Sequence, residues 1–393
     1  MDPYSLYLHI PFCRHRCGYC DFNTYAGQER LIPAYVAALC HEAELVSRQT
    51  LRAGRLPVHT IFFGGGTPSL IPTDLLAGVL STLHNGYDLQ PDLEVTLEAN
   101  PGTLSAEGLA ALRRMGVNRL SLGVQSAHPD DLRLLQRQHD YPDVIHAVYQ
   151  ARRAGFDNIS LDLIFGIPGQ SLSRWEYTLE LVLGLQVEHL SLYALTIEAD
   201  TPFGRWAGRG LLPLPDDDLA ADMYEYARDR LSAAGYQQYE ISNWALPERR
   251  CRHNLQYWRN RPYLGFGAGA HGYAAGYRLA NVPDIGAYIQ QVHNATTQLF
   301  PFSPANHSRL SINRQAEIQE TMMVGLRLTE EGVSAADFAA RFGQSLESVY
   351  HDEIETLLRR GLLEWGPEQR LRLTRRGCLL GNRVFAHFVG DGD

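Results

Sequence analysis

Cys13, Cys17 and Cys20 lie in one short stretch, HIPFCRHRCGYCDF from His9 to Phe22, directly after an apolar run, Ser5 to Ile10, that reads as a strand. The spacing Cys-x-x-x-Cys-x-x-Cys lets one loop fold back and aim three sulfurs at a single iron–sulfur cube. Such [4Fe–4S] clusters are usually held by four cysteine thiolates, so three leave one iron open to an exchangeable ligand. Reductive cleavage of S-adenosylmethionine (SAM) has that requirement: its amino and carboxylate groups chelate the open iron, and an electron then breaks a carbon–sulfur bond. A structural zinc site is the competing reading. Zinc sites usually complete four ligands with a distant second pair, whereas the nearest candidates here, His9 and His15, belong to the same stretch. Cys40, Cys251 and Cys378 are scattered singly, which argues against a disulfide framework and against a second complete cluster.

The elements that must carry this loop follow a repeating grammar. Helical spacing over Leu31 to Arg52 is followed by a buried strand at Val58 to Phe63, which runs into Gly64, Gly65, Gly66, Thr67 and Pro68. Consecutive glycines let backbone approach a ligand closely; a plain tight turn is the alternative, and a Rossmann loop fits less well because GxGxxG spacing is absent. Strands are predicted at Leu93 to Glu98, Arg119 to Val124, Ile159 to Phe165 and His189 to Ala194, separated by helical stretches, an alternation that implies a parallel sheet of six βα-type units. Polar residues recur at the C-terminal strand ends, where barrel chemistry collects: Glu98 and Asn100, Gln125 and Ser126, Asp162, and Tyr193. Each has a structural rival, since Asn100-Pro101 can make a turn and Asp162 can cap a neighbouring element.

Further along, Asp216 to Ala234 reads as a helix and Tyr236 to Trp244 as a strand on the barrel edge. Then comes CRHNLQYW, Cys251 to Trp258. The imidazole of His253 is a candidate iron ligand, with the aromatic pair Tyr257 and Trp258 beside it. A histidine beside Tyr and Trp can equally be a packed core residue, and Cys251 is a rival ligand. GFGAGAH, Gly265 to His271, offers close backbone access again, and Leu299 to Asn313 reads as a linker. Helices at Glu317 to Arg327, Ala335 to Phe342 and Leu346 to Arg360 precede a hairpin-like pair, Gly361 to Trp365 and Leu371 to Thr374, which suggests a winged-helix-like domain.

The 393 residues suffice for two or three domains, divided here as 1–234, 235–300 and 314–393, and 45% hydrophobic content supplies real cores. With 35 basic against 44 acidic residues the formal net charge is −9, so nucleic acid is not an expected partner, despite the arginines near the hairpin. Neither a membrane-spanning apolar run nor a signal peptide is read, and a cytoplasmic address is expected.

The cysteine motif with its flanking YLHIPFC and CDF resembles the radical SAM superfamily, and within it the group containing oxygen-independent coproporphyrinogen III dehydrogenase and the heme chaperones. That resemblance implies an α/β fold, an open partial (β/α)6 TIM-like barrel with a C-terminal, mostly helical, winged-helix-like domain. It implies a [4Fe–4S] cluster on Cys13, Cys17 and Cys20. It also matches Tyr7, Tyr19, Gly65, Gly66, Thr67, Glu98, Gln125, Arg137, Asp162 and Ala194 to SAM contacts, and places GFGAGAH beside the adenosine. Glu98 would accept from the SAM amino group, Arg137 would meet its carboxylate and Asp162 its ribose. Two departures separate the chain from the dehydrogenase: Phe22 stands where that enzyme has a further cysteine, and Cys13 leaves no room for its N-terminal segment. The HNxxYW pattern at His253, Tyr257 and Trp258 resembles the heme motif of the chaperones. The implied function is binding of heme and its delivery to acceptor hemoproteins such as respiratory enzymes, by a homodimer. The alternative is radical oxidative decarboxylation of coproporphyrinogen III, or radical SAM chemistry on another substrate.

Overall fold

The computed structural model describes residues 2–50, 54–295 and 298–389. The chain forms two compact units: residues 1–230 with 262–310, and residues 231–261 with 311–393.

In the first unit, strands β1 (Tyr4–Ile10), β2 (Pro57–Gly65), β3 (Asp88–Ala99), β4 (Arg119–Gln125), β5 (Ile159–Phe165) and β6 (His189–Ala194) lie side by side in chain order. Each pairs in parallel with its predecessor. Runs such as YSLYLHI and ISLDLIF are buried along almost their whole length, as parallel strands covered on both faces must be. Helices α1 (Ile32–Arg48), α2 (Thr73–Gly86), α3 (Ala106–Arg114), α4 (Tyr141–Arg153) and α5 (Leu172–Leu183) make the crossovers. On α1 the buried residues Ile32, Tyr35, Val36, Leu39, Ala43 and Val46 form one apolar stripe. Side-chain caps from Ser105, Asp140 and Ser171 fix where α3, α4 and α5 begin. Because every crossover returns the chain to start the next strand in the same direction, all six C-terminal strand ends share one rim. This is the expected α/β partial barrel of six units.

On the far side of β1, β7 (Tyr263–Phe266) pairs with it in parallel, and β8 (His271–Ala274) and β9 (Tyr277–Asn281) continue the sheet antiparallel. A further strand, β10 (Asn306–Ser311), falls where sequence suggested a linker. It lies at the end of the strand order, and five of its six residues are exposed, so it carries no buried face and no apolar alternation to announce it. The helix anticipated over Leu31 to Arg52 begins with a 3-10 turn, Glu29–Leu31, and its α-helical part ends at Arg48. There the Thr50 hydroxyl bonds the Ser47 carbonyl at 2.9 Å and competes with the helical ladder. Residues Leu51 and Arg52 lie outside the described residues.

In the second unit, Tyr236 to Trp244 is two short strands, Gln237–Glu240 and Asn243–Ala245, rather than one. The turn between them is closed by the Asn243 side chain donating to Glu240. Helices Arg314–Gly325, Ala335–Phe342 and Leu346–Arg359 pack with a three-stranded antiparallel sheet, Val333–Ser334, Arg370–Leu373 and Leu363–Gly366, about a core that includes Met322, Leu326, Phe338, Phe342, Ile354 and Leu371. This is the winged-helix-like arrangement.

Candidate functional site

The cysteine loop leaves β1 at Ile10 and is closed by a short parallel pair, Phe12–Cys13 with Tyr25–Ala26. The Tyr25 amide also donates to the Pro11 carbonyl at 2.7 Å. All three cysteines line a cleft of about 430 Å³, together with residues from the C-terminal strand ends. Each sulfur has a polar neighbour: the Thr67 hydroxyl 3.6 Å from Cys13, the Arg137 guanidinium 3.7 Å from Cys17 and the Thr24 hydroxyl 3.8 Å from Cys20. Burial pushes the Cys13 and Cys20 thiols up, and hydrogen bonds from Thr67 and from the Phe22 backbone pull the other way. Gly66 is required by space, since a Cβ there would lie 2.7 Å from the Phe12 carbonyl oxygen and 3.0 Å from Cys13 Sγ. Among the described residues no three His, Cys, Asp or Glu side chains converge on a single metal ion. A cube makes a different demand, one thiolate at each of three separate irons.

The cleft floor is polar. Glu98 closes β3 and accepts the Gly65 amide at 3.0 Å. Burial, reinforced by the charge of Asp162, raises its carboxyl to about 8 against the opposing effects of that amide and Arg119. Asp162 is raised by burial too, although Ser121 donates to both its oxygens, at 3.2 and 3.0 Å. Arg137 donates to the Gly123 carbonyl at 2.7 Å and to the Asn100 side chain, while its Nε is buried with no protein partner. Gln125 holds φ at +70° where the β4–β5 register slips between Gly123 and Gln125, a strained backbone stored at the rim.

Nine of the residues matched to SAM contacts line this cleft: Tyr19, Gly65, Gly66, Thr67, Glu98, Gln125, Arg137, Asp162 and Ala194. Tyr7 does not, its hydroxyl instead sitting 3.0 Å from His9 Nδ1. Ser121 was missed, although it alternates with Gly123 along β4 and strand periodicity alone would have placed it with the floor.

The GFGAGAH segment is absent from the cleft lining. It packs instead behind both ends of the cysteine loop. A Cβ on Gly267 would meet the His9 carbonyl oxygen at 2.6 Å, and one on Gly269 would meet Asn23 Nδ2 at 2.4 Å. Tyr35 bridges the two parts, donating to the His9 carbonyl at 2.7 Å and accepting the Ala268 amide at 2.9 Å. Behind it, fully buried Glu42 accepts from the Gly267 amide at 2.9 Å, Asn281 at 2.8 Å, Tyr288 at 2.7 Å and the Ser303 hydroxyl. A second brace comes from the helix Pro202–Ala207: the Phe203 amide donates to the Gly18 carbonyl at 2.9 Å, and its ring leaves only a hydrogen's width at Gly18. Glu42, Tyr35 and Phe203 carried no sequence signal, because each acts through partners far away in the chain.

His253, Tyr257 and Trp258 fall in the second unit and none lines the cleft. They share the short helix Arg252–Trp258, where i and i+4 spacing sets the His253 Nε2 2.8 Å from the Tyr257 hydroxyl, the rings edge to face. His253 is only 1% exposed. The Arg327 guanidinium lies over the Trp258 ring at 4.5 Å, and Cys251, which caps the helix, is fully buried.

Residues 7–182 match the radical SAM superfamily, and residues 312–380 match the HemN C-terminal domain. The heme chaperone HemW of Bacillus subtilis is 40% identical over 98% of this chain and 99% of its own, and that of Lactococcus lactis 39% identical over 99% and 98%. The chain belongs to the HemW family of radical SAM proteins. A mitochondrial relative from Bos taurus, radical S-adenosyl methionine domain-containing protein 1, is 36% identical over 84% of this chain and 74% of its own. Coproporphyrinogen III oxidase (HemN) from Escherichia coli, a radical SAM enzyme, has the same fold, with TM-score 0.82 at 24% identity over 98% of this chain and 90% of its own.

Membership of the HemW family implies a [4Fe–4S] cluster and SAM, and the residues present fit both. Three thiols open on one cleft with hydrogen-bond donors beside their sulfurs. Two acids with raised pKa values await a cation, and a buried arginine nitrogen awaits an acceptor.

Proposed function

We propose that this chain binds heme and passes it to acceptor hemoproteins, respiratory enzymes among them, while holding a [4Fe–4S] cluster and SAM in the barrel cleft. The observation that carries the reading is full-length similarity to relatives named as heme chaperones, joined to a cysteine loop that opens on the cleft. Cys13, Cys17 and Cys20 would ligate three irons. Glu98 would take the SAM ammonium, Arg137 its carboxylate and Asp162 its ribose hydroxyls, with Tyr19, Gly65, Gly66, Thr67, Gln125 and Ala194 shaping the remaining wall and Tyr7 supporting it from behind. When bound, the cluster would supply an electron to SAM, and the protein would orient both and exclude competing reactions. Threonine and arginine donors at the sulfurs stabilise thiolate charge.

His253 is assigned as the axial heme ligand, with Tyr257 and Trp258 beside the macrocycle. The closed ring pair gives that assignment a specific consequence: Nε2 reaches iron only after the Tyr257 hydroxyl lets go. In an anaerobic hemin titration of the cluster-reconstituted protein followed by absorbance, the wild type should saturate at one equivalent, His253→Ala should lose the ligated spectrum, and Tyr257→Phe should bind faster than wild type. Hemin binding by His253→Ala with an unchanged spectrum would remove the ligand assignment, and no binding by any of the three would remove the chaperone reading. A homodimer in the cytoplasm completes the proposal; among the described residues no helix is long and apolar enough to cross a membrane.

A further inference from the structure

The strands beneath the cleft hold a histidine that does not line it. His189 opens β6 and is wholly buried. Strand register sets it opposite Ser160 of β5, sets Ser160 opposite Ser121 of β4, and sets Asp162 opposite Ser191. Ser121 and Asp162 line the cleft, so the face that these residues share is the one turned to the barrel interior. Val, Ile and Leu dominate such interior layers in ordinary βα barrels. Here the layer is hydroxyls and an imidazole, and none of the three serines is more than 6% exposed.

The hydroxyls converge on one carboxylate. Ser121 donates to Asp162 at 3.2 and 3.0 Å, Ser191 donates to it as well, and Ser160 reaches it at 3.5 Å. Ser160 is the member with a choice, because its oxygen also lies 2.8 Å from His189 Nδ1. A hydroxyl has a single proton to give. Given to Nδ1, it is lost to Asp162. Donation in the other direction, from Nδ1–H to the serine oxygen, frees the serine proton for the carboxylate. Burial and the charge of Arg119 hold the imidazole well below its ordinary pKa, so His189 is neutral and places one proton on one nitrogen.

We propose that His189 is a positioning residue for the ribose end of the nucleoside ligand. Its Nδ1–H fixes Ser160, Ser160 completes a three-hydroxyl cradle with Ser121 and Ser191, and the cradle holds Asp162 with its free lone pairs toward a vicinal diol in the cleft. The 3.5 Å contact is long for a neutral acid and shortens against a carboxylate. The proposal rests on the assignment of Asp162 to the SAM ribose and adds the device that makes that carboxylate selective for ribose over deoxyribose. His189 acts only through Ser160 and Asp162.

The probes are S-adenosylhomocysteine and its 2′-deoxy counterpart, titrated anaerobically by calorimetry into cluster-reconstituted full-length protein. Wild type would be compared with His189→Leu, His189→Asn, Ser160→Ala, Asp162→Asn and the pair His189→Leu/Asp162→Asn, with circular dichroism and cluster absorbance as the folding checks. Wild type should prefer the ribonucleoside. His189→Leu and Ser160→Ala should each lose about tenfold in affinity for it and stay within about twofold of wild type for the deoxy compound. His189→Asn, whose amide nitrogen can stand where Nδ1 stands, should keep the preference. Adding His189→Leu to Asp162→Asn should cost nothing further, because the two act along one path. An equal loss for both compounds overturns the proposal, since a purely structural histidine would give that result. It is also overturned by a full loss in His189→Asn, or by the same loss in the Asp162→Asn background. Should His189→Leu not fold, Ser160→Ala decides alone, and an unchanged preference there overturns the proposal. Binding of both compounds with equal affinity by wild type removes the ribose assignment and the proposal while SAM binding stands; failure of wild type to bind either removes the SAM reading itself.

Discussion

At the scale of single residues, the cleft floor is built around acids whose charged forms are penalised by burial. Glu98 keeps its proton in the folded chain to about pH 8, against the ordinary carboxylate value of 4.5. Between those values the folded state binds more protons than the unfolded one, so this group makes stability fall as pH rises, with nothing lost below the unfolded pKa and the full loss present above pH 8. Glu98→Gln is therefore expected to stabilise the ligand-free protein at pH 8.5 by about 1–3 kcal/mol and to change little at pH 4, read by denaturant unfolding at the two pH values. The same variant should weaken SAM binding by roughly tenfold to a hundredfold, because an amide cannot answer an ammonium with charge. Wild type should also release a proton on binding SAM at pH 7, measurable as a dependence of binding heat on buffer ionisation enthalpy; equal heats in all buffers would count against Glu98 as the ammonium partner. Arg137 leads to a sharper variant. Its fork spans the Gly123 carbonyl, the Asn100 side chain and the Cys17 sulfur, so Arg137→Lys should lose SAM affinity as severely as Arg137→Ala. The acids were legible in sequence because strand ends of a βα barrel concentrate chemistry, and Arg137, which follows a helix, only through the family resemblance. The raised pKa values of Glu98 and Asp162 were not legible, since burial and the Asp162 charge at Glu98 arise only when β3 and β5 are brought into one floor.

At the scale of elements, the cysteine loop is positioned by segments whose supporting role no local sequence pattern announced. Glycine in GFGAGAH was legible as close backbone approach, and the structure shows the His9 backbone and the Asn23 side chain among what approaches it, partners that no local pattern announces. Glu42 shows why: its partners Gly267, Asn281, Tyr288 and Ser303 are all distant in the chain, and a glutamate on an amphipathic helix reads as a solvated charge until the opposite wall is known. Glu42→Ala would leave that amide and several side-chain donors buried without an acceptor, at about 3 kcal/mol or more. Thermal unfolding should register that loss, and the reconstituted cluster should bleach faster in air than in wild type. An unchanged bleaching rate alongside lowered stability would assign Glu42 to the fold alone. Phe203→Ala tests the other brace: opening the space at Gly18 should cost about 3–5 kcal/mol and lower iron content per chain. The strand β10 is the complementary lesson, an edge element so exposed that hydrophobic periodicity had nothing to mark.

At the scale of the whole molecule, the alternation of buried strands and capped amphipathic helices made the six-unit barrel readable, and the helix and hairpin pattern made the C-terminal domain readable. The division of labour between units was not. HNxxYW lies in the second unit with its histidine buried against Tyr257, and the cluster cysteines and SAM candidates lie in the first. Cys13→Ala is expected to lose the cluster spectrum while both units stay folded by circular dichroism, since Cys13 is only partly buried and stands in the loop beyond β1; a full complement of iron in the variant would undo the ligand assignment. Delivery of heme and turnover of a porphyrinogen are separated by one experiment. Hemin-loaded, cluster-reconstituted protein would be incubated anaerobically with an apo-hemoprotein, and a parallel sample given SAM, a low-potential reductant and coproporphyrinogen III. Hemin should move to the acceptor faster than the same hemin supplied on albumin, and coproporphyrinogen should be recovered unchanged. Catalytic conversion of coproporphyrinogen to protoporphyrinogen, with no heme reaching the acceptor, would contradict delivery.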